Sequence, residues 1–250
     1  CHPSMANNEL SGPVVATALA QWVAQRPRRY TYRFAFVPET IGSITYLSRN
    51  HEALRRNVVA GFNLTCMGDE RAYSYLPSRK GNTLADKAAL HVLHHFAPDF
   101  IRYTFLDRES DERQYCAPGI DLPLCSVMRS KYHVYPEYHT SLDDCSLVTQ
   151  KGLEGSVNIM TRILEALEEN VTYEPRVLCE PQLGKRGLYP TLSTKTSCTE
   201  QVNLMMDLLA YADGETTLLE EADIVGRDIF RCAETMRKLV EKDVLAVKTC

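Results

Sequence analysis

Tyr30 to Val37, YTYRFAFV, constrains the fold more than any other stretch, because it is dense in aromatic and β-branched residues and stops at Pro38-Glu39. It reads as a buried strand. Strand-like and helical runs alternate around it. Ser11-Gly12-Pro13 followed by VVATALAQWVAQ starts a helix with Pro13 in the first turn. Thr40–Arg49 reads as a helix, Val58–Met67 as a second strand ending at Gly68-Asp69, Thr83–Ala97 as a helix, and Ile101–Leu106 as a third strand. Residues 70–82 are polar and turn-rich. The apolar run Leu122–Met128 leads into a loop, and the long amphipathic helix Leu147–Glu169 closes the domain. Such alternation implies an α/β fold with a mostly parallel sheet flanked by helices.

Beyond that helix the pattern changes. Val171–Ser197 has no clear periodicity and holds three prolines and Gly184-Lys185-Arg186-Gly187, so it reads as a linker or a docking segment. Gln201–Tyr211, Thr217–Val225 and Asp228–Lys242 are short helices followed by a strand at Val244–Lys248, the outline of a winged-helix module. The expected organisation is a main domain over 1–170, a linker over 171–198 and a small module over 199–250. The last helix mixes Arg227, Arg231, Arg237 and Lys238 with Asp228, Glu234, Glu241 and Asp243, so it lacks the basic stripe of a DNA-reading helix. A protein-docking or structural role is expected for it.

A formal charge of −4 gives no pull toward nucleic acid or anionic membrane. No apolar run approaches the ~20 residues of a spanning helix. Nine scattered cysteines, without close CxxC pairs, suit reduced and buried thiols. A soluble, cytoplasmic protein is expected, with homo-oligomerisation left open. The chain opens on Cys1, at what reads as a strand-to-loop junction. The expectation is that an N-terminal part of a larger protein lies outside it, or that Cys1 is a processed terminus.

In sheets of this kind functional loops gather at the carboxyl ends of the strands. Each strand candidate runs into a charged loop, which would collect Glu39, Asp69 and Asp111 at one edge. His139, in Val134–Asp144, and His2, in the opening loop, lie far apart in sequence; two such histidines and a carboxylate form a common open zinc site. Glu39 is the candidate general base, since little else nearby titrates, and a helix-capping role is the alternative. Asp111, Arg113 and Tyr115 are candidates for substrate binding, Arg because its planar fork matches carboxylates. Asp143 or Asp144 would either orient His139 or cap the following helix. His91, His94 and His95 share a helix with no accompanying Glu or Cys, which favours a surface or half-buried role.

The segments CHPSMANNELSG, FVPETIGS, SDERQYCAPGIDLP and YPEYHTSLDD resemble, in order and character, the zinc aminopeptidase superfamily that includes leucyl aminopeptidase and glutaminyl cyclase. They look closest to its aminopeptidase-like branch, described as polysaccharide-biosynthesis proteins with a C-terminal winged helix. The resemblance implies a zinc-exopeptidase-like fold, a peptide or amide substrate, His2 and His139 as metal ligands and Glu39 as base. It also exposes departures. The bridging aspartate position falls at Asn8-Glu9, the paired glutamates appear as Glu39-Thr40, and a further metal aspartate falls near Thr65, with Asp69 beyond. One zinc ion is therefore expected, held by His2, Glu9 and His139, instead of two.

Three functions compete on this reading. The first is a zinc hydrolase of the aminopeptidase type. The second is a metal-binding scaffold, without catalysis or with another specialisation, in polysaccharide biosynthesis. The third takes Cys1 as an N-terminal nucleophile whose own amine serves as base, without metal.

Overall fold

The computed structural model describes residue 2, residues 4–188 and residues 195–248. The chain divides into two compact units, residues 1–164 and 165–250.

In the first unit a π-helical turn, Ala6–Leu10, runs directly into helix α1 (Ser11–Ala24), and α2 (Ile41–Asn57) follows. The sheet comprises β1 (Gly61–Asn63), β2 (Ser74–Leu76), β3 (Ile101–Arg102) and β4 (Leu124–Met128), in the order β1-β4-β2-β3. β1–β4 and β2–β3 are parallel and β2–β4 is antiparallel, so the sheet is mostly parallel. Phe62 faces Cys125 and Tyr75 faces Val127 in register. α3 (Leu84–Phe96), the single turn α4 (Glu112–Tyr115) and α5 (Gln150–Glu169) complete the set.

Local chemistry explains where these elements start. Thr83 caps α3 reciprocally with Asp86, and the same buried Asp86 accepts from the Tyr75 hydroxyl at 2.7 Å and the Ser78 amide at 2.8 Å. The helix thereby docks on β2, and it turns Ala85, Ala88, Ala89, Val92 and Leu93 inward at helical spacing. Burying Val92 and Leu93 stabilises the unit by about 1.5–3 kcal/mol each. α5 begins where the Gly152 amide donates to Thr149 Oγ1 at 2.9 Å. Its first turns lie against the chain leaving β1: Ser156 Oγ donates to the Met67 carbonyl at 2.6 Å, and a Cβ at Gly152 would collide with the Gly68 carbonyl. Glycine at 152 is what permits that approach.

Several sequence expectations are corrected. Tyr30–Val37 is extended but belongs to no strand among the described residues, and none of it is buried. The helix expected over Thr40–Arg49 continues to Asn57. The strands expected over Val58–Met67 and Ile101–Leu106 shrink to Gly61–Asn63 and Ile101–Arg102, because Phe105–Asp107 folds into a 3-10 turn capped by Thr104. β2 arises inside the polar stretch 70–82, where Tyr75 and Leu76 are fully buried and Asp86 satisfies the tyrosine hydroxyl. Cys66, Cys116, Cys125 and Cys232 are buried free thiols, whereas Cys145 and Cys179 are exposed, and burial pushes Cys66 up to about 12.

In the second unit, β5 (Tyr173–Pro175) pairs antiparallel with β6 (Leu245–Val247) beside three helices, α6 (Lys195–Tyr211), α7 (Leu218–Val225) and α8 (Ile229–Glu241). Thr217 and Glu220 form a capping box on α7, Gly226 ends it in the left-handed conformation, and Asp228 caps α8. The helices bury Leu208, Leu218, Ile229, Met236 and Leu239 against one another. Within 171–198, β5 is part of this small sheet and Leu183–Arg186 is a 3-10 turn. Among the described residues no helix is long and apolar enough to cross a membrane.

Candidate active site

Buried carboxylates draw distant loops together. Asp143 accepts from the Asn7 amide at 2.6 Å, the Asn8 amide at 3.1 Å and the Tyr135 hydroxyl at 3.0 Å, while its own carbonyl accepts from the Ala6 amide at 3.0 Å. The loop that carries His139 is thus fastened to the turn that follows His2. Asp69 accepts from the Ser130 amide at 2.9 Å, the Ser130 hydroxyl at 2.8 Å, the Arg71 amide at 2.9 Å and Asn7 Nδ2 at 3.2 Å. Glu112 accepts from Asn63 Nδ2, Ser126 Oγ, the Tyr132 hydroxyl and the amides of Glu109 and Ser110. These three side chains are buried and their acceptors are occupied by protein donors, so they hold the strand ends and loops in place.

The two fastened loops bring the His2 and His139 rings to 4.1 Å between centroids, tilted by 40°. Glu9 Oε1 lies 3.4 Å from His2 Nδ1 and accepts from Asn8 Nδ2 at 3.1 Å. Tyr138 stacks on His139 at 3.9 Å, and His133 sits 6.0 Å from His139 in contact with the Glu109 carboxylate. His133 and His139 both adopt positive φ, at 62° and 56°. Burial first, then the neighbouring His2 and His133, hold the His139 pKa below the usual imidazole range, which favours the neutral, ligating form.

Glu39 Oε1 is 3.9 Å from Arg113 Nη2, and its pKa is raised by burial first, then by Asp111 and Glu9. Asp111 Oδ1 accepts from the Thr40 amide at 2.8 Å, and Arg113 Nη2 donates to Thr40 Oγ1 at 2.8 Å. Together they clamp Thr40, whose φ of 62° is rare for a β-branched residue, and so fix the glutamate beside it. Asp111 is buried in this role, while the Arg113 side chain keeps 41% of its surface exposed. Tyr115 packs with Val58 against Leu47, Leu54 and Leu122. Asp143 staples the turn instead of contacting His139, and Asp144 accepts from the Ser146 amide at 2.8 Å instead of capping α5. Cys1, the proposed alternative nucleophile, lies outside the described residues.

Glu109, His133 and Tyr138 complete the surroundings of His139; Tyr138 lies within the YPEYHTSLDD segment, while nothing in the local sequence of Glu109 and His133 singles them out. His91 and His95 contact each other, with ring centroids 4.7 Å apart, on α3.

The donor types suit zinc: two imidazoles and one carboxylate, with His2 Nδ1 buried and without a hydrogen-bond partner. The spacing is tighter than a loaded site needs. Ring centroids of two imidazoles on one tetrahedral zinc stand about 5 Å apart, so the pair would open by about 1 Å. Among the described residues no group of three His, Cys, Asp or Glu side chains is already arranged to hold a metal.

Comparison with known proteins agrees with the resemblance. The family model described as Domain of unknown function (DUF4910) matches residues 1–170, and a winged helix-turn-helix model matches residues 171–247. A protein of Clostridium acetobutylicum, described provisionally as a polysaccharide biosynthesis protein with aminopeptidase-like domain, is 38% identical over 234 residues, covering 92% of this chain and 53% of the relative. A crystal structure from the same organism, provisionally a peptidase, superposes with a TM-score of 0.90 at 36% identity, covering 99% of this chain and 56% of the other. The chain therefore spans about half the length of the relatives it matches. A zinc aminopeptidase of Bacillus subtilis shares the fold, with a TM-score of 0.56 at 19% identity over 65% of this chain and 42% of that one.

Proposed function

This chain belongs to the family described as Domain of unknown function (DUF4910), and from that membership and the site geometry we propose a metal-dependent hydrolase of the aminopeptidase type, cleaving a peptide or amide bond. The observation that carries the reading is the meeting of His2 and His139, with rings 4.1 Å apart and Glu9 3.4 Å from His2, on a fold shared with zinc aminopeptidases. His2, Glu9 and His139 would hold one zinc ion, which supplies a bound water acidified toward a pKa of about 7. Glu39 binds a proton more readily than an ordinary glutamate, which suits it to take one from a water and pass it to a leaving amine. Arg113, exposed beside Glu39, is assigned to the substrate's carboxylate or carbonyl. Asp111 acts through Thr40, and Tyr115 supports the packing behind it.

A second reading, a metal-binding scaffold in polysaccharide assembly without catalysis, is supported by the internal use of Asp69, whose oxygens are taken by protein donors and are not offered to a second ion. In the second unit Lys238 pairs with Glu234 and Arg237 with Glu169, which leaves little free positive charge on α8. Protein docking is therefore assigned to the winged helix in preference to DNA. A cytoplasmic setting fits its buried reduced thiols.

Glu39→Gln separates the two readings. With aminoacyl anilides as substrates, the hydrolase should lose at least about 100-fold in turnover while elemental analysis still finds one zinc per chain. A wild-type protein that binds zinc but cleaves no aminoacyl amide would leave the scaffold, and two zinc equivalents would refute the single-ion site.

A further inference from the structure

We infer that Glu109, held by His133 at the rim of the candidate site, is a subsite for a positively charged side chain, lysine or arginine, on the residue whose peptide or amide bond is cleaved. The inference takes the reaction from the hydrolase reading and the selected charge from the geometry of two loops. Four rings form a bent row that leads away from the candidate metal position. His2 and His139 stand 4.1 Å apart between centroids, His139 and Tyr138 3.9 Å, and Tyr138 and His133 4.4 Å. At the outer end His133 Nε2 meets Glu109 Oε2. The Glu109 side chain keeps 53% of its surface exposed, His133 and His139 are exposed, and Tyr138 is half-buried between them.

Both sides of this contact are fixed from behind. The Glu109 amide donates to Glu112 Oε1 and to the Tyr132 hydroxyl at 3.0 Å each, and Glu112 and Tyr132 are themselves buried. His133 takes a φ of 62° in a turn closed by the Val134 amide on the Lys131 carbonyl at 3.1 Å, and its ring stands edge-on to Tyr132. An imidazole that donates Nε2–H to one carboxylate oxygen orients the group and leaves it further acceptor capacity. Lys131 and Arg108, which share these loops, are engaged elsewhere. Lys131 is buried, with Nζ 3.3 Å from the Tyr132 carbonyl and over the Tyr132 ring, and Arg108 donates to the Phe105 carbonyl at 3.0 Å and lies over the Phe105 ring.

Position decides which part of a substrate Glu109 can meet. The α-amino group lies beside the bond that is cut, and so at the candidate metal position with Glu9, whereas Glu109 lies past Tyr138, against a ring 6.0 Å from His139. A group that reaches it must leave the substrate backbone on a stem. Lysine carries its charge on four methylenes, which can lie along exposed ring surface while the ammonium meets the carboxylate. Arginine presents a planar fork to the same group. An apolar side chain of equal length would take water from the carboxylate and give it no donor in return.

Lysine and norleucine share a four-carbon stem and differ in the charge, so their anilides, and the free amino acids as products that are not consumed, provide the test on the zinc-loaded chain. At low salt kcat/KM should favour the lysyl over the norleucyl anilide by at least about fivefold, and the preference should shrink as salt screens it. Glu109→Gln should bring the ratio to about one, whatever it does to either rate alone, and Glu109→Asp should keep a preference in the same direction. Calorimetric binding of free lysine and norleucine should give the same ranking and the same loss. A chain that binds lysine over norleucine through Glu109 but cleaves no anilide would sink the hydrolase reading and uphold Glu109 as a cation subsite. Equal cleavage or equal binding of the two by the wild type, a preference that survives Glu109→Gln, or neither cleavage nor binding of either would overturn the inference. If Glu109→Gln does not fold, the wild-type ratio and its salt dependence decide.

Discussion

Glu221 should make the winged-helix unit weaken as pH rises, and Glu221→Gln should abolish that dependence. The side chain is buried in α7 and neither carboxylate oxygen has a hydrogen-bond partner. Burial first, then the Asp213 charge, push its pKa from 4.5 up to about 8. The unfolded chain loses this proton near 4.5 and the folded unit keeps it to about 8, so between those values the folded state binds the extra proton. Stability from this group is complete below the lower value and is lost through the window at about 1.4 kcal/mol per pH unit, roughly 5 kcal/mol in all. Neighbouring groups do not share the window. Tyr173 is raised above 10 by burial, Cys232 is pushed up to about 12, and Asp213 is held below 3.8 by the Thr216 and Glu215 amides. Glutamine keeps the shape and the orphaned polar atoms, so the variant should match the wild type near pH 4.5 and exceed it by roughly 4 kcal/mol near pH 8. The sole tryptophan, Trp22, lies in the first unit and is blind to this change. Opening free energies of α7 and α8 amides in the whole chain, from exchange corrected for intrinsic rates, give the readout. Identical slopes with pH in the two proteins would refute the reasoning.

Two other substitutions probe how the first unit is held. Asp143→Asn leaves one of the Asn7 and Asn8 amides without a charged acceptor, which should cost about 1–3 kcal/mol and, through the loosened loops, lower zinc affinity by tenfold or more; wild-type zinc affinity by chelator competition would remove Asp143 from this role. Gly152→Ala drives a Cβ into the Gly68 carbonyl and should destabilise by about 1–3 kcal/mol, whereas Gly81→Ala has open space around it and costs only its left-handed backbone, about 1–2 kcal/mol. Thermal melts that rank these two in the reverse order would count against close packing of α5.

Helices were legible where they announced their own beginnings. Thr83 with Asp86, Thr217 with Glu220, and Asp228 before α8 are caps that local sequence displays, and the observed starts coincide with them. Strands were not, because two or three residues, as in β1, β2 and β3, are too few for alternation to register. Ser74-Tyr75-Leu76 is a strand through its pairing with β3 and β4, and Asp86, ten residues beyond Leu76, satisfies the Tyr75 hydroxyl that this burial would orphan. YTYRFAFV shows the opposite failure. Its composition reports what these side chains favour, but a ladder also needs a partner, and no residue type records whether one is present.

The site divides along a similar line. His2, Glu9, Glu39 and His139 were named from motifs, but the way Asp111, Arg113 and Asp143 hold them was not legible, because it rests on backbone conformations that sequence normally assigns to glycine or asparagine. Thr40, His133 and His139 all take positive φ, at about 1–2 kcal/mol each. Each is held by a specific contact: Thr40 between Asp111 and Arg113, His133 against Glu109, and His139 stacked on Tyr138 in a loop fastened by Asp143. Strain of this kind persists only where the surroundings over-determine it. Three such residues stand around one pair of imidazoles and one glutamate, with Cys66 and Asp121 adopting positive φ elsewhere in the first unit, while Asp69, Glu112 and Asp143 are consumed in fixing the framework. Releasing one of these clamps should therefore disturb the relative placement of Glu39 and the histidines before it threatens the core, whose stability rests on α3, β4 and α5.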